Sequence, residues 1–144
     1  MEKGKLGFGL MRLPQKSEDP ADIDMEKVKE MVDLYLEAGF DYFDTSYAYH
    51  NGESEAAVKE CLVNRYPRER FRLASKLPTF VITEESQVEE IFLGQLEKCG
   101  VEYFDYYLLH NVNWMRYQQV IRDTHMFDYI KKWKEEGKIR HIAF

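Results

Sequence analysis

Short apolar stretches in this sequence end at Met11, Asp44, Lys76, His110 and Ala143, at successive intervals of 33, 32, 34 and 33 residues. Segments with helical periodicity lie between them. The chain therefore reads as repeated strand–helix units, an alternation that builds a parallel sheet. Near-equal units suit a closed barrel better than a doubly wound sheet, whose connections vary more. A complete eight-unit barrel takes about 250 residues. The 144 residues here hold four units and the start of a fifth strand. The expected class is α/β: a parallel (β/α) half-barrel of the TIM type, truncated relative to the full barrel. No Pro/Gly/Ser-rich linker divides residues 1–144, so one domain is expected.

Local punctuation supports the units. Leu6–Leu10 is the first strand, and Asp24 is placed to cap a helix whose Val28, Met31, Val32 and Tyr35 share one face. Gly39 sits where a glycine ends such a helix. Phe40–Asp44 reads as the second strand, and Glu53–Arg65 as a helix with Val58, Cys61 and Leu62 inward, stopped by Pro67. Phe71–Ser75 is the third strand. Ser86 and Glu89 form a capping box for a helix that buries Val88, Ile91, Phe92, Leu96 and Cys99 and closes at Gly100. Tyr103–Leu109 is the fourth strand. One long helix over Tyr117–Glu136 then ends at Gly137, and Ile139–Phe144 begins the fifth strand.

Composition removes several function classes. Twenty Lys and Arg against 26 Asp and Glu leave a net charge of −6, so no basic patch dominates and nucleic acid is not an expected partner. The apolar runs are only a few residues long, against the roughly 20 that a membrane crossing needs. Met1–Lys5 lacks a secretory apolar region. Cys61 and Cys99 make neither a C-x-x-C pair nor a disulfide framework, which fits a cytoplasmic protein. His50, His125 and His141 show no ligand spacing with a carboxylate or cysteine, so no metal is expected. Gly7-Phe8-Gly9 is not the G-x-G-x-x-G of a dinucleotide fold.

In a parallel barrel, chemistry collects at the C-terminal ends of the strands. Asp44 ends the second strand, Tyr49 follows in its loop, Lys76 ends the third and His110 the fourth. Singly, each has an ordinary structural reading, as a turn residue, a loop aromatic, a solvated strand end or a core histidine. At corresponding ends of a repeated unit, they point instead to a common mouth. A free phenol has a pKa of about 10, and a nearby ammonium favours its ionised form. Lys76 can supply that charge, Asp44 can hold Lys76 in place, and His110 can donate to the oxygen that Tyr49 protonates. Such a set suits reduction of a carbonyl, with hydride arriving at carbon and a proton at oxygen.

Phe43-Asp-Thr-Ser-Tyr-Ala-Tyr49, followed by Asn51-Gly-Glu-Ser-Glu55, resembles the F-D-T-A-x-x-Y…G-x-S-E segment of aldo-keto reductases. Leu73–Lys76 is similar to that family's strand-three lysine segment and Glu102–His110 to its strand-four histidine segment. Leu6–Pro14 resembles its first strand and Gly137–Phe144 the start of its fifth, so the likeness runs the length of the chain in order. The resemblance implies Tyr49 as general acid, Lys76 and Asp44 as its tuning pair, and His110 as the donor that orients a small aldehyde or ketone. It implies NADPH, or less often NADH, as cofactor, without a metal. It also places most groups that grip the adenosine phosphates on later strands than the four units here. Gly9, Met11, Arg12 and Asp44 are then the expected contacts near the nicotinamide, and weak or no cofactor binding is expected of this chain alone. Some branches with a similar first strand carry an iron–sulfur segment, which Cys61 and Cys99 lack the spacing to hold. Tyr47 and Trp114 are candidates to line a substrate pocket.

A four-unit sheet leaves an unpaired strand at each end and one uncovered face. Phe43, Leu73, Tyr107 and Leu109 are expected among the strand residues at risk of exposure, and burying them recovers roughly 25 cal/mol per Å². Open edges recruit other strands. The expected outcome is a homo-oligomer, most simply two copies closing a pseudo-barrel. The alternative to a reductase is a catalytically silent half-barrel that assembles with itself or a partner.

Overall fold

The computed structural model describes residues 5–143. Five parallel strands stand in sequence order, β1 (Gly7–Gly9), β2 (Tyr42–Asp44), β3 (Arg72–Leu77), β4 (Phe104–Leu109) and β5 (Ile139–Ala143), which is the order of a barrel opened out. Register pairs Gly9 with Asp44, Asp44 with Ala74, and Lys76 with Leu108, so equivalent strand ends lie side by side. Phe144, the last residue of the expected fifth strand, lies outside the described residues. No helix among the described residues is long and apolar enough to cross a membrane.

Helix α1 (Met25–Glu37) starts as expected: the Asp24 carboxylate accepts from the Lys27 N–H at 3.3 Å. It ends into Gly39 at φ +88°, a left-handed angle that a glycine adopts without steric cost. Helix α2 (Ser54–Val58) continues into a wider turn at Lys59–Val63 and buries Val58, Cys61 and Leu62. Helix α3 (Ser86–Cys99) departs from expectation at its start. No side chain caps it from Ser86; instead the Gln87 amide oxygen accepts from the Thr83 and Glu84 N–H groups at 2.8 and 3.3 Å. A side chain inside the first turn thus does the work of the predicted capping box.

The single helix expected over Tyr117–Glu136 is two pieces. Asn113 caps a short turn, α4 (Trp114–Arg116), which runs into a wider turn at Tyr117–Ile121. The chain then breaks at His125, which is left-handed at φ +55°, before α5 (Met126–Glu135). The break brings Met126, Ile130 and Trp133 inward together, all but fully buried.

The sheet's two faces are the reverse of the expected assignment. Phe43, Leu73, Tyr107 and Leu109 are buried beneath the helices, not turned toward the open side. Strand alternation then sends Tyr42, Asp44, Ala74, Lys76, Tyr106 and Leu108 to the opposite face. That face is partly closed by aromatic rings. Tyr42 and Tyr106 meet edge to face at 5.4 Å across β3, whose Ala74 is fully buried, and Tyr106 stacks on His141 at 4.9 Å. Among the described residues β1 and β5 are the edge strands, each paired on one side only.

Candidate active site

Lys76 organises the mouth of the sheet. Its side chain leaves the C-terminal end of β3 on the open face, and its Nζ donates to Asp44 Oδ1 at 2.6 Å, the Thr45 carbonyl at 2.8 Å and Tyr49 Oη at 3.2 Å. Three donors meet three acceptors, which is the full capacity of an ammonium. Asp44 and Thr45 come from the end of β2, itself tied to β3 by the Thr45 N–H to the Ala74 carbonyl at 2.9 Å. The Lys76 cation also lies 4.7 Å from the centre of the Tyr49 ring.

His110 follows β4 directly, its N–H donating to the Leu77 carbonyl and its own carbonyl accepting from Thr79 Oγ1 at 2.6 Å. Its ring meets Tyr49 edge-on at 6.1 Å and Phe80 at 5.5 Å, and its Nδ1 lies 3.0 Å from Ser46 Oγ. Burial pushes its pKa below the ordinary 6.5; the Lys76 charge adds to the shift and Asp44 opposes it. Asp44, Tyr49, Lys76 and His110 thus share one mouth. An acid, a cation and a neutral imidazole in that arrangement can deliver a proton to an oxygen bound between Tyr49 and His110.

The remaining expected residues lie at different distances from this centre. Gly9 is register-paired with Asp44, and the Leu10 N–H donates to the Asp44 carbonyl at 2.8 Å, so Met11 and Arg12, both exposed, follow immediately beside Asp44. A Cβ at Gly9 would meet nothing within 4 Å. Tyr47 is exposed, and Trp114 is 70% exposed and stacked on Tyr117 at 5.7 Å. No hydrogen bond or ring contact joins either of them to the four central residues among the described residues.

Several supports were not visible in the sequence. Tyr49 is followed by two left-handed residues, His50 at φ +55° and Asn51 at φ +53°, a costly pair for side chains other than glycine. The buried His50 ring holds them: its Nε2 accepts from the Leu13 N–H at 2.8 Å and its Nδ1–H donates to the Pro20 carbonyl at 2.7 Å. The loop after β1 is thereby clasped to the turn carrying Tyr49. Ser54 Oγ adds a second tie, donating to the Leu10 carbonyl at 3.0 Å with Thr45 Oγ1 at 2.8 Å.

Behind β3, on the helix side, Glu55 Oε1 accepts from Ser75 Oγ at 2.8 Å and Gln95 Nε2 at 2.6 Å. Gln95 also reaches the Lys76 carbonyl at 3.2 Å and accepts from the Tyr107 hydroxyl at 2.5 Å. Glu55 Oε2 has no hydrogen-bond partner among the described residues. Burial raises the Glu55 pKa above the ordinary 4.5, against the opposing pull of these hydrogen bonds and of Lys98 and Lys76. A raised folded-state value means the native chain keeps a proton that the unfolded chain releases. The contribution to stability is then full below pH 4.5 and is lost as pH rises through the folded value. Glu55→Gln retains the shape and an acceptor oxygen without the charge. Thermal melts between about pH 4 and 8 should show the variant's advantage growing with pH and vanishing near the acid end. An offset independent of pH would contradict a buried titrating carboxyl.

Residues 5–144 match the family model described as the aldo/keto reductase family. A human relative, aldo-keto reductase family 1 member C4, is 31% identical over 108 residues, covering 73% of this chain and 31% of that protein. A holo-form aldo-keto reductase from Bacillus halodurans superposes with a TM-score of 0.74 at 27% identity, over 96% of this chain and 45% of its own. The fold of a Klebsiella pneumoniae aldo-keto reductase solved with NADPH matches with a TM-score of 0.73 at 20% identity, over 95% of this chain and 43% of that one. The chain thus spans less than half the length of these relatives. With the family model matched over nearly all of its length, the chain belongs to the aldo/keto reductase family.

Proposed function

We propose that this chain carries the proton-delivering site of an NAD(P)H-dependent reductase of small aldehydes or ketones. The observation that carries the reading is the Lys76 ammonium shared between the Asp44 carboxylate and the Tyr49 hydroxyl. Tyr49 acts as general acid and gives its proton to the carbonyl oxygen. Lys76 meets the phenolate that forms, and Asp44 holds the ammonium in place. Asp44 is itself held through its backbone to β1 and β3, so the triad is fixed before substrate arrives. His110 donates to the same carbonyl oxygen and sets its angle to Tyr49. Water then returns a proton to Tyr49.

The cofactor fits at its nicotinamide end. Open space over Gly9, with exposed Met11 and Arg12 beside Asp44, supports these four residues as its contacts. When bound, NADPH (or NADH) supplies the hydride that reduces the carbonyl carbon and leaves as the oxidised nucleotide. Tyr47 and Trp114 are proposed to bound the substrate, Trp114 as an exposed ring on the loop that follows His110.

A second reading, a silent half-barrel that pairs with itself, is favoured by the outer edges of β1 and β5, which no strand covers among the described residues. Titrating the chain with NADPH by fluorescence, with sedimentation velocity on the same samples, separates the two. Saturable binding weakened by Asp44→Asn supports the reductase reading. A dimer that binds nothing at millimolar nucleotide supports the second, and a monomer removes self-pairing.

A further inference from the structure

We propose that Ser46 is a positioning residue that fixes the tautomer of His110, keeping Nδ1 as an acceptor and the ring proton on Nε2. Ser46 lies two residues past β2 and is fully buried, and His110 Nδ1, at 3.0 Å, is the single hydrogen-bond partner of its Oγ among the described residues. A hydroxyl carries one proton, and a buried proton without an acceptor is costly. Were Nδ1 protonated, it would donate to Oγ and strand the serine proton. With Nδ1 bare, the hydroxyl donates to it and both groups are satisfied. A neutral imidazole is required, and the burial that depresses the His110 pKa favours that form at neutral pH.

The ring has little freedom to escape this arrangement. Backbone bonds to Leu77 and Thr79 fix its root, and the Phe80 and Tyr49 rings flank it. Nε2–H has no partner among the described residues, so it is the donor left for an incoming carbonyl oxygen. Alanine stands at this position in the F-D-T-A-x-x-Y pattern, and a methyl group offers neither donor nor acceptor. Tautomer control from here is therefore a property of the serine.

The catalytic consequence rests on the reductase reading, but the tautomer does not. Nitrogen NMR of the 15N-labelled chain at about pH 8 reads both ring nitrogens directly. His110 should appear as one tautomer, protonated on Nε2. His50 supplies an internal contrast, because its hydrogen bonds dictate the opposite tautomer, protonated on Nδ1. Ser46→Ala should turn the single His110 form into a mixture, and Ser46→Thr, which keeps the hydroxyl, should restore it. A parent His110 protonated on Nδ1 would overturn the proposal even if Ser46→Ala does not fold. So would an unchanged tautomer in a folded Ser46→Ala chain. Failure of NADPH to bind would leave these signals where they are, so the two readings fail separately.

Discussion

If the chain reduces carbonyls as proposed, Tyr49→Phe is expected to lower NADPH-dependent reduction of an aldehyde by about 10²–10⁴-fold, the usual worth of a positioned general acid. That range corresponds to roughly 3–5 kcal/mol of barrier. The substitution removes one oxygen and leaves the ring, which keeps its edge-on contact with His110 and its place 4.7 Å from the Lys76 cation. Lys76 loses one of three acceptors but keeps Asp44 and the Thr45 carbonyl. The stability cost is therefore about one ordinary hydrogen bond, near 1 kcal/mol. A large kinetic loss with a nearly unchanged melting temperature is the signature sought. Lys76→Met should also be slow, and the double variant should be little slower than either single one, because groups acting as a unit are not additive. A Tyr49→Phe chain that keeps more than about a tenth of the parent rate would remove Tyr49 from the chemistry.

The four central residues were readable because their chemistry repeats at the period of the fold: each lies at or just past a strand end. What supports them was not readable, because the partners are remote in sequence. Ser46 and His110 are 64 positions apart, Leu13 and His50 are 37 apart, and Glu55 and Ser75 are 20 apart. None of these pairs has a spacing that announces contact. The reversed sheet faces have a different cause. Both faces of β2 and β4 carry rings, Tyr42 against Phe43 and Tyr106 against Tyr107, so alternation left no polar side to mark the open one. The sign was nevertheless present in Asp44 and Lys76. If these two face the mouth, the period of two turns Phe43 toward the helices, and Tyr107 follows through its pairing with Ser75. The break before α5 had no comparable sign, since neither glycine nor proline marks the left-handed His125.

Trp133→Ala is expected to cost about 3–5 kcal/mol of folding stability, the range for deleting a buried large aromatic side chain. Trp133 is completely buried and stacks on Phe92 at 3.8 Å, with Tyr107 and Tyr129 at 6.2 and 5.7 Å. These contacts join α5 to α3 and β4, so the space left by the indole opens at a junction of three elements. Aromatic pairing adds about 0.5–1.5 kcal/mol beyond the area buried, which places the expected loss toward the upper part of the range. Domains of this kind hold only about 5–15 kcal/mol in total, so the variant should approach half-unfolding under mild denaturant. The effect should also reach the mouth. Tyr107 lies on β4 three residues before His110, and its hydroxyl bonds the Gln95 amide that reaches the Lys76 carbonyl. Loosening the stack under β4 frees both strands that present the site. Urea unfolding with amide hydrogen exchange tests both parts: the midpoint should fall sharply, and protection in native conditions should drop in β3 and β4 as well as in α5. Trp133→Phe, which keeps a ring against Phe92, should recover more than half of the loss. A Trp133→Ala unfolding free energy within about 1 kcal/mol of the parent would mean that α5 contributes little to holding β4, and the link from this core to the mouth would fail with it.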